Sequence, residues 1–135
     1  LRGGVGLVST AADYLQFCRM MLNGGELEGT RLLGRKTVEL MTVNHLPAEL
    51  LPFELAGIYS PGFGYGLGFS VLMDVGLSQK LGSRGEFAWL GAASTSFWID
   101  PAEQLIGIQL TQFQPEEYHP IGADFRVATY QSIID

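Results

Sequence analysis

The chain is poor in the residues from which disulfides and zinc sites are built. Its 135 residues include one cysteine, Cys18, and two histidines, His45 and His119. A single cysteine cannot form an internal disulfide. Three such residues, spread this widely along the sequence, do not make a zinc site of the usual type. We therefore expect neither a metal nor a cofactor in this chain.

Charged side chains are also scarce, and basic ones are the scarcest. Charged residues make up 16% of the sequence, against roughly 25% in an average protein, and 8 Lys and Arg stand against 14 Asp and Glu. This balance disfavours a nucleic-acid partner, because phosphate binding needs clustered basic side chains. No apolar run approaches the roughly 20 residues of a membrane span. Disorder is excluded as well, because 47% of the residues are apolar.

The low charge favours a part of a larger protein over a free-standing domain. A small independent domain normally carries about 25–35% charged residues on its surface. The sequence starts at Leu1 without an initiating Met or a signal-peptide pattern. We therefore expect surfaces that another part of the protein covers, and the sequence does not indicate a compartment.

The first half of the chain has helical signals. Thr10 and Asp13 form a capping box, and apolar residues then recur with a period near 3.6 until an Asn-Gly-Gly run. This pattern places Cys18 in the core. A second helix is predicted over residues 35–44, and residues 47–61 are predicted to be a loop.

Near residue 60 the hydrophobic period changes from 3.6 to 2, which indicates strands. The sequence predicts a type I turn at Asp100-Pro101 and a C-terminal helix over residues 120–134. Helices followed by an antiparallel meander predict an α+β fold. We divide it into residues 1–60 and residues 61–135. The predicted strands cover residues 64–72, 86–91, 95–100 and 105–113.

The sequence contains no complete catalytic set. No serine begins an S-x-x-K motif, and there is no G-x-S-x-G elbow. Glu116 and Glu117 are adjacent on a predicted turn, where their side chains diverge into solvent. Tyr130 and Ser132 have the Y-x-S spacing, but on a terminal helix, where we interpret them as structural.

The most informative segment covers residues 86–101. A strand ends there in Gly91 and small residues, and a second strand returns to the Asp-Pro turn. Small residues leave room for a ligand beside a strand, but they also suit a simple bend. Composition alone leaves these two readings open.

This segment resembles the third motif region of the serine hydrolases related to class C β-lactamases, which include penicillin-binding-protein-like peptidases and esterases. The lactamases have K-T-G here, and many related esterases have a Trp-x-Gly, which Trp89-Leu90-Gly91 matches. Residues 3–13, 24–27 and 64–69 match further blocks in the same order. The resemblance implies a fragment of the β-lactamase/transpeptidase-like fold, with part of a helical lobe, sheet strands and the C-terminal helix.

The resemblance also implies what lies outside this sequence. The family's S-x-x-K and its Y-x-N or Y-x-S would both precede residue 1. The chain would then be the C-terminal third of a serine hydrolase that cleaves an ester or amide through an acyl-serine. It would need the N-terminal part of the protein and would be inactive alone. The alternative is a non-catalytic ligand-binding module of the same fold.

Roles follow from the resemblance at matching positions. The backbone N–H of Ala92 would supply one donor of the oxyanion hole. Trp89, Leu90, Gly91 and Ala93 would contact the substrate. The lactamase Lys and Thr bind a substrate carboxylate, whereas Trp89 and Leu90 carry neither charge nor hydroxyl, which favours a neutral ester or amide. Arg84 could replace the lost cation, but we interpret it as a solvated turn residue.

Overall fold

A computed structural model describes residues 8–55, 58–114 and 119–134 of the chain. The predictions that concern residues 3–7, Glu116 and Glu117 lie outside these ranges. The described part is α+β. It has four α-helices: α1 (Ala11–Leu22), α2 (Arg35–Met41), α3 (Val75–Ser78) and α4 (Ile121–Gln131).

The main sheet is a five-stranded antiparallel meander in which chain order and sheet order coincide. Two small hairpins precede it, β1 with β2 and β3 with β4. The strands are β1 (Glu26–Leu27), β2 (Thr30–Arg31), β3 (Phe53–Leu55), β4 (Ile58–Ser60), β5 (Phe63–Tyr65), β6 (Ser70–Leu72), β7 (Phe87–Gly91), β8 (Thr95–Asp100) and β9 (Leu105–Gln109).

Helix α1 begins and ends as its sequence predicts. Thr10 is the N-cap, and its Oγ1 accepts a hydrogen bond from the Asp13 N–H at 3.1 Å. At the other end Gly24 and Gly25 have φ of +64° and +94°, and their N–H groups donate to Met21 and Met20. This is a Schellman motif, in which glycine adopts the left-handed conformation at low cost.

One face of the sheet packs on α1 and α2 and forms the main core. Cys18 and Met21 of α1 meet Phe87, Phe97 and Ile99 of the sheet. The prediction that Cys18 lies in the core is confirmed, because the residue is fully buried. Burial raises the pKa of its thiol to about 11, which disfavours the thiolate, the reactive form of cysteine.

The opposite face of the sheet is covered by α4. Trp98 of β8 is the centre of this contact, because its ring packs against Phe125 at 5.4 Å and lies under the Arg126 guanidinium at 4.9 Å. Across the sheet it faces Gly107 of β9. A Cβ at Gly107 would lie 2.3 Å from the Trp98 ring. The glycine therefore makes the space that the indole occupies.

Replacing Gly107 by alanine is expected to destabilise the protein by about 1–3 kcal/mol, the usual cost of overpacking a core. The Trp98 ring is held between β9 and α4 and cannot swing away from the new methyl group. Urea unfolding measures the change in the free energy of unfolding. The matched control is Gly122→Ala on α4, where a Cβ would meet its nearest atom, Gln109 Oε1, at 3.7 Å. That variant is expected to be neutral or slightly stabilised, since alanine favours a helix, and equal losses in both variants would contradict this account.

Three predictions from the sequence are wrong in detail. The strand predicted over residues 105–113 ends at Gln109. Residues 47–61 were expected to be a loop, but they contain a 3₁₀ turn (Ala48–Leu50) and the β3–β4 hairpin. Residues 64–72 were expected to form one strand, but β5 and β6 are two strands joined by a turn. The hairpin was missed because Phe53-Glu54-Leu55 is too short to establish a period.

Two glycines, Gly64 in β5 and Gly66 in the turn that follows it, lie close to other groups. A Cβ at Gly66 would lie 2.2 Å from the Met41 carbonyl oxygen, and one at Gly64 would lie 2.5 Å from the Asn44 amide. Asn44 Oδ1 accepts the Tyr65 N–H at 3.0 Å. The end of α2 is therefore fastened to the edge of the sheet.

Candidate active site

The segment that the sequence singles out forms the β7–β8 hairpin. Trp89, Leu90 and Gly91 are the last three residues of β7, and Gly91 pairs with Thr95 across the hairpin. Residues 92–94 form the turn, and it closes with Ser94 at φ +59°. A three-residue turn that ends in a left-handed residue is the common type I turn with a bulge.

The turn is held by hydrogen bonds with β9 and with the chain that follows it. The Gln109 amide donates to the Ser94 carbonyl oxygen at 3.0 Å, and the Ser94 hydroxyl donates to the Phe113 carbonyl oxygen at 2.9 Å. Thr111 Oγ1 lies 2.6 Å from the Ala93 carbonyl oxygen. The same hydroxyl lies 2.8 Å from the Ser94 carbonyl oxygen, so four side-chain contacts fix the position of Ala93 and Ser94.

The end of β7 is open on the side away from β8. Strand β6 pairs only with Phe87 and Ala88, so among the described strands nothing pairs with Trp89, Leu90 and Gly91 on that side. Alternation along the strand sends Trp89 to the α1 face and Leu90 to the α4 face. Gly91 is small for a local reason, since a Cβ there would lie 2.4 Å from Thr95 Oγ1.

A cavity of about 590 Å³ lies against the α1 face of this hairpin. Trp89, Leu90 and Gly91 line it, together with the polar but uncharged Thr95 and Thr111. No Asp, Glu, Lys or Arg of the described residues lines it. Tyr14 lies on its α1 side, and burial, followed by the nearby Cys18, raises the pKa of the phenol.

A second cavity, of about 460 Å³, lies on the other side of the same strand end. Trp89 and Leu90 line this one also, and its outer wall is the β3–β4 hairpin. Tyr65 connects the two sides, because its ring contacts Trp89 at 5.1 Å and Phe53 at 5.9 Å, both edge-to-face. The motif thus stands between two cavities.

The structure brings the five predicted site residues together on this one hairpin, and of these Trp89, Leu90 and Gly91 line at least one of the two cavities described above. Ala92 is exposed, and Ala93 lies beside it in the turn. Among the backbone hydrogen bonds of turns, loops and caps in the described residues, none has the Ala92 N–H as its donor. Arg84 is exposed and lines neither cavity.

Sequence reasoning missed a buried ionic cluster on the α4 side of the sheet. Glu86 and Asp100 are 1% and 0% exposed. Arg126 Nη1 lies 3.0 Å from both oxygens of Glu86, and the Tyr130 hydroxyl lies 2.8 Å from Glu86 Oε2 and 2.8 Å from Asp100 Oδ2. Burial raises the pKa of Glu86 against the opposing effect of Arg126. The structural interpretation of Tyr130 agrees with this position.

Two other features are absent from the described ranges. No group of three or more His, Cys, Asp and Glu side chains is placed to hold a metal ion there. None of the helices in those ranges is long and apolar enough to cross a membrane.

Comparisons with known proteins agree with this architecture. The chain is 39% identical to Protein Rv1367c from Mycobacterium tuberculosis (strain ATCC 25618 / H37Rv) over 117 residues, which cover 84% of this chain and 29% of that protein. The structure is similar to that of EstCE1, a hydrolase with promiscuous acyltransferase activity, with a TM-score of 0.78 and 27% identity over 95% of this chain and 31% of that one.

The fold is also that of the simvastatin synthase LovD from Aspergillus terreus, with a TM-score of 0.65 and 19% identity over 89% of this chain and 33% of that one. The chain thus spans about a third or less of the length of each of these proteins. The family model described as Beta-lactamase matches residues 2–131. The chain therefore belongs to the beta-lactamase family.

Proposed function

We propose that this chain is the C-terminal part of a serine hydrolase that cleaves a neutral ester or amide through an acyl-serine intermediate. We call the complete enzyme the parent protein. Its nucleophile and base would lie in the part that precedes this chain. The division of the chain at residue 60, into a helical-lobe part and a sheet part, belongs to the same proposal.

The observation that carries the proposal is the lack of charge around the motif. The cavity on the α1 face presents Trp89, Leu90 and hydroxyl groups, with no Lys or Arg from the described residues to bind a substrate carboxylate. A buried carboxylate without a cation would be strongly disfavoured. This supports a neutral ester or amide in preference to a β-lactam or a peptide carboxylate.

The proposed role of Ala92 is to donate its N–H to the oxyanion of the tetrahedral intermediate. Ala92 is an exposed residue in a turn that side-chain hydrogen bonds hold in place, and each oxyanion donor contributes about 10²–10³ in rate. The missing serine would supply the second donor. Trp89, Leu90, Gly91 and Ala93 would form the wall along which the acyl group lies.

The proposal predicts activity for the parent protein and none for this chain alone. Hydrolysis of p-nitrophenyl acetate is expected from the parent protein, together with covalent labelling of a serine upstream of residue 1 by a fluorophosphonate. The purified 135-residue chain is expected to show neither. Turnover by the chain alone would contradict the proposal. Ligand binding by a parent protein that shows neither labelling nor turnover would favour the binding-module alternative.

A further inference from the structure

The β3–β4 hairpin has an inner and an outer face. Its pairing sets Phe53 opposite Ser60 and Leu55 opposite Ile58, so these side chains share one face. All four line the second cavity, whereas Glu54 and Tyr59 do not. Tyr59 is 63% exposed. The hairpin therefore turns three apolar side chains toward the cavity.

The cavity that these side chains close reaches the strand end that carries the motif. Leu90 and Trp89 form its end at β7, and Leu81 and Phe63 belong to the remaining apolar wall. Its volume of about 460 Å³ lies within the roughly 300–1,000 Å³ of small-molecule sites. A group that fills it would therefore lie beside the proposed point of acyl transfer.

Aromatic contacts fix the hairpin to the motif. Phe53 packs on Tyr65, and Tyr65 packs on Trp89, both edge-to-face. The Tyr65 backbone is in turn held by Asn44 and by the His45 N–H, which donates to the Tyr65 carbonyl oxygen at 2.8 Å. The inner face of the hairpin is thus placed by packing and not by the loop alone.

The two cations that line the cavity are already engaged. Arg126 is bound to Glu86, and Lys80 lies 5.3 Å from the centre of the Phe63 ring. Their charges are therefore directed to protein groups, and the surface left for a ligand is mainly apolar. Such a surface suits an uncharged hydrocarbon group.

We propose that the inner face of the β3–β4 hairpin selects the substrate, and that the cavity behind it receives an aliphatic chain of a neutral ester. This inference rests on the proposed function and deepens it. The aliphatic chain can belong to the acyl side or to the alcohol side of the ester, and both sources present the same hydrocarbon chemistry to the cavity. Phe53 and Ile58 are the specificity-determining residues, one from each strand.

The test compares long and short esters in the parent protein. The kcat/KM values are measured for p-nitrophenyl octanoate (acyl arm) and for octyl acetate (alcohol arm), each divided by that for p-nitrophenyl acetate. Phe53→Ala is expected to lower one of these ratios at least about tenfold, since one methylene in an apolar pocket is worth roughly 10–200-fold. Ile58→Ala, on the other strand, is expected to lower the same ratio.

Tyr59→Ala is the matched control. It removes an aromatic ring from the outer face of the same hairpin and is expected to leave both ratios unchanged. The ratio that falls in the Phe53 and Ile58 variants shows whether the aliphatic chain in the cavity comes from the acyl or the alcohol side of the ester. If both ratios stay unchanged in Phe53→Ala and Ile58→Ala, or fall equally in Tyr59→Ala, the inference is overturned while hydrolysis of the acetate ester still supports the proposed function.

A binding measurement separates failure of the inference from failure of the proposed function. The probe is 2-decanone, a neutral chain without a cleavable bond, titrated into the parent protein by calorimetry. If no ester is hydrolysed but 2-decanone binds, and binds at least about tenfold more weakly to Phe53→Ala, then the proposed function fails and the apolar site stands. Equal affinity of 2-decanone for the original protein and for Phe53→Ala would contradict the proposed apolar site.

Discussion

Replacing Ala92 with proline is expected to lower kcat of the parent protein by about 10²–10³ while the fold is kept. Proline has no backbone N–H, so the variant loses the proposed oxyanion donor. Ala92 is the first residue of the β7–β8 turn, which closes with Ser94 at φ +59°. In a type I turn this first position is one that proline favours.

The measurement is steady-state hydrolysis of p-nitrophenyl acetate, accompanied by thermal unfolding. Ala92→Gly is the control, because it changes the side chain and keeps the N–H, and it is expected to retain near-original kcat. An unchanged melting temperature in Ala92→Pro would show that the loss is chemical. If Ala92→Pro kept full kcat, Ala92 would not be an oxyanion donor.

The features that the sequence predicts well are those with local causes. The Thr10 capping box and the glycines after α1 fix that helix within one turn at each end. The Asp100-Pro101 turn is also local, since Asp100 Oδ1 accepts the Ala102 N–H at 3.0 Å. The placement of Trp89 to Gly91 at a strand end follows from the same kind of signal, a period of 2 that stops at a glycine.

The features that it does not predict depend on long-range contacts. Glu86 and Arg126 are 40 residues apart, and nothing near either residue indicates that they meet. The inner face of the β3–β4 hairpin has the same origin, because Phe53 is placed by Tyr65 and not by its neighbours in sequence. The period of 2 located the end of β7, but the cavity on its α4 side follows from tertiary packing.

The second large effect concerns the buried cluster that fastens α4 to the sheet. Arg126→Leu is expected to destabilise the protein by about 3–5 kcal/mol at pH 7, because it leaves the Glu86 carboxylate buried without its cation. The side chain of Arg126 is only 13% exposed and that of Glu86 is 0% exposed, so the Glu86 carboxylate depends mainly on protein groups for its stabilisation. Chemical unfolding at pH 7 measures the decrease in the free energy of unfolding.

The matched control is Arg35→Leu, which breaks an exposed ion pair with Glu39 and is expected to change stability little.

The cost of Arg126→Leu is expected to depend on pH, with a sign that follows from Glu86. Burial already raises the pKa of Glu86, and Arg126 opposes this rise, so its removal raises the pKa further. A carboxyl group whose pKa is raised on folding contributes stability at low pH, and this contribution is lost as pH rises through the folded pKa. Below about pH 4, near the ordinary pKa of Glu, the Glu86 carboxyl group is protonated in both the folded and the unfolded state, and the penalty is smallest.

Tyr130 from α4 and Asp100 from β8 also face this cluster and are present in both proteins. The stability difference between the original protein and Arg126→Leu should therefore widen from pH 4 to pH 7, and a difference that is constant or narrows would mean that Arg126 acts through packing on Trp98 and not through the charge of Glu86.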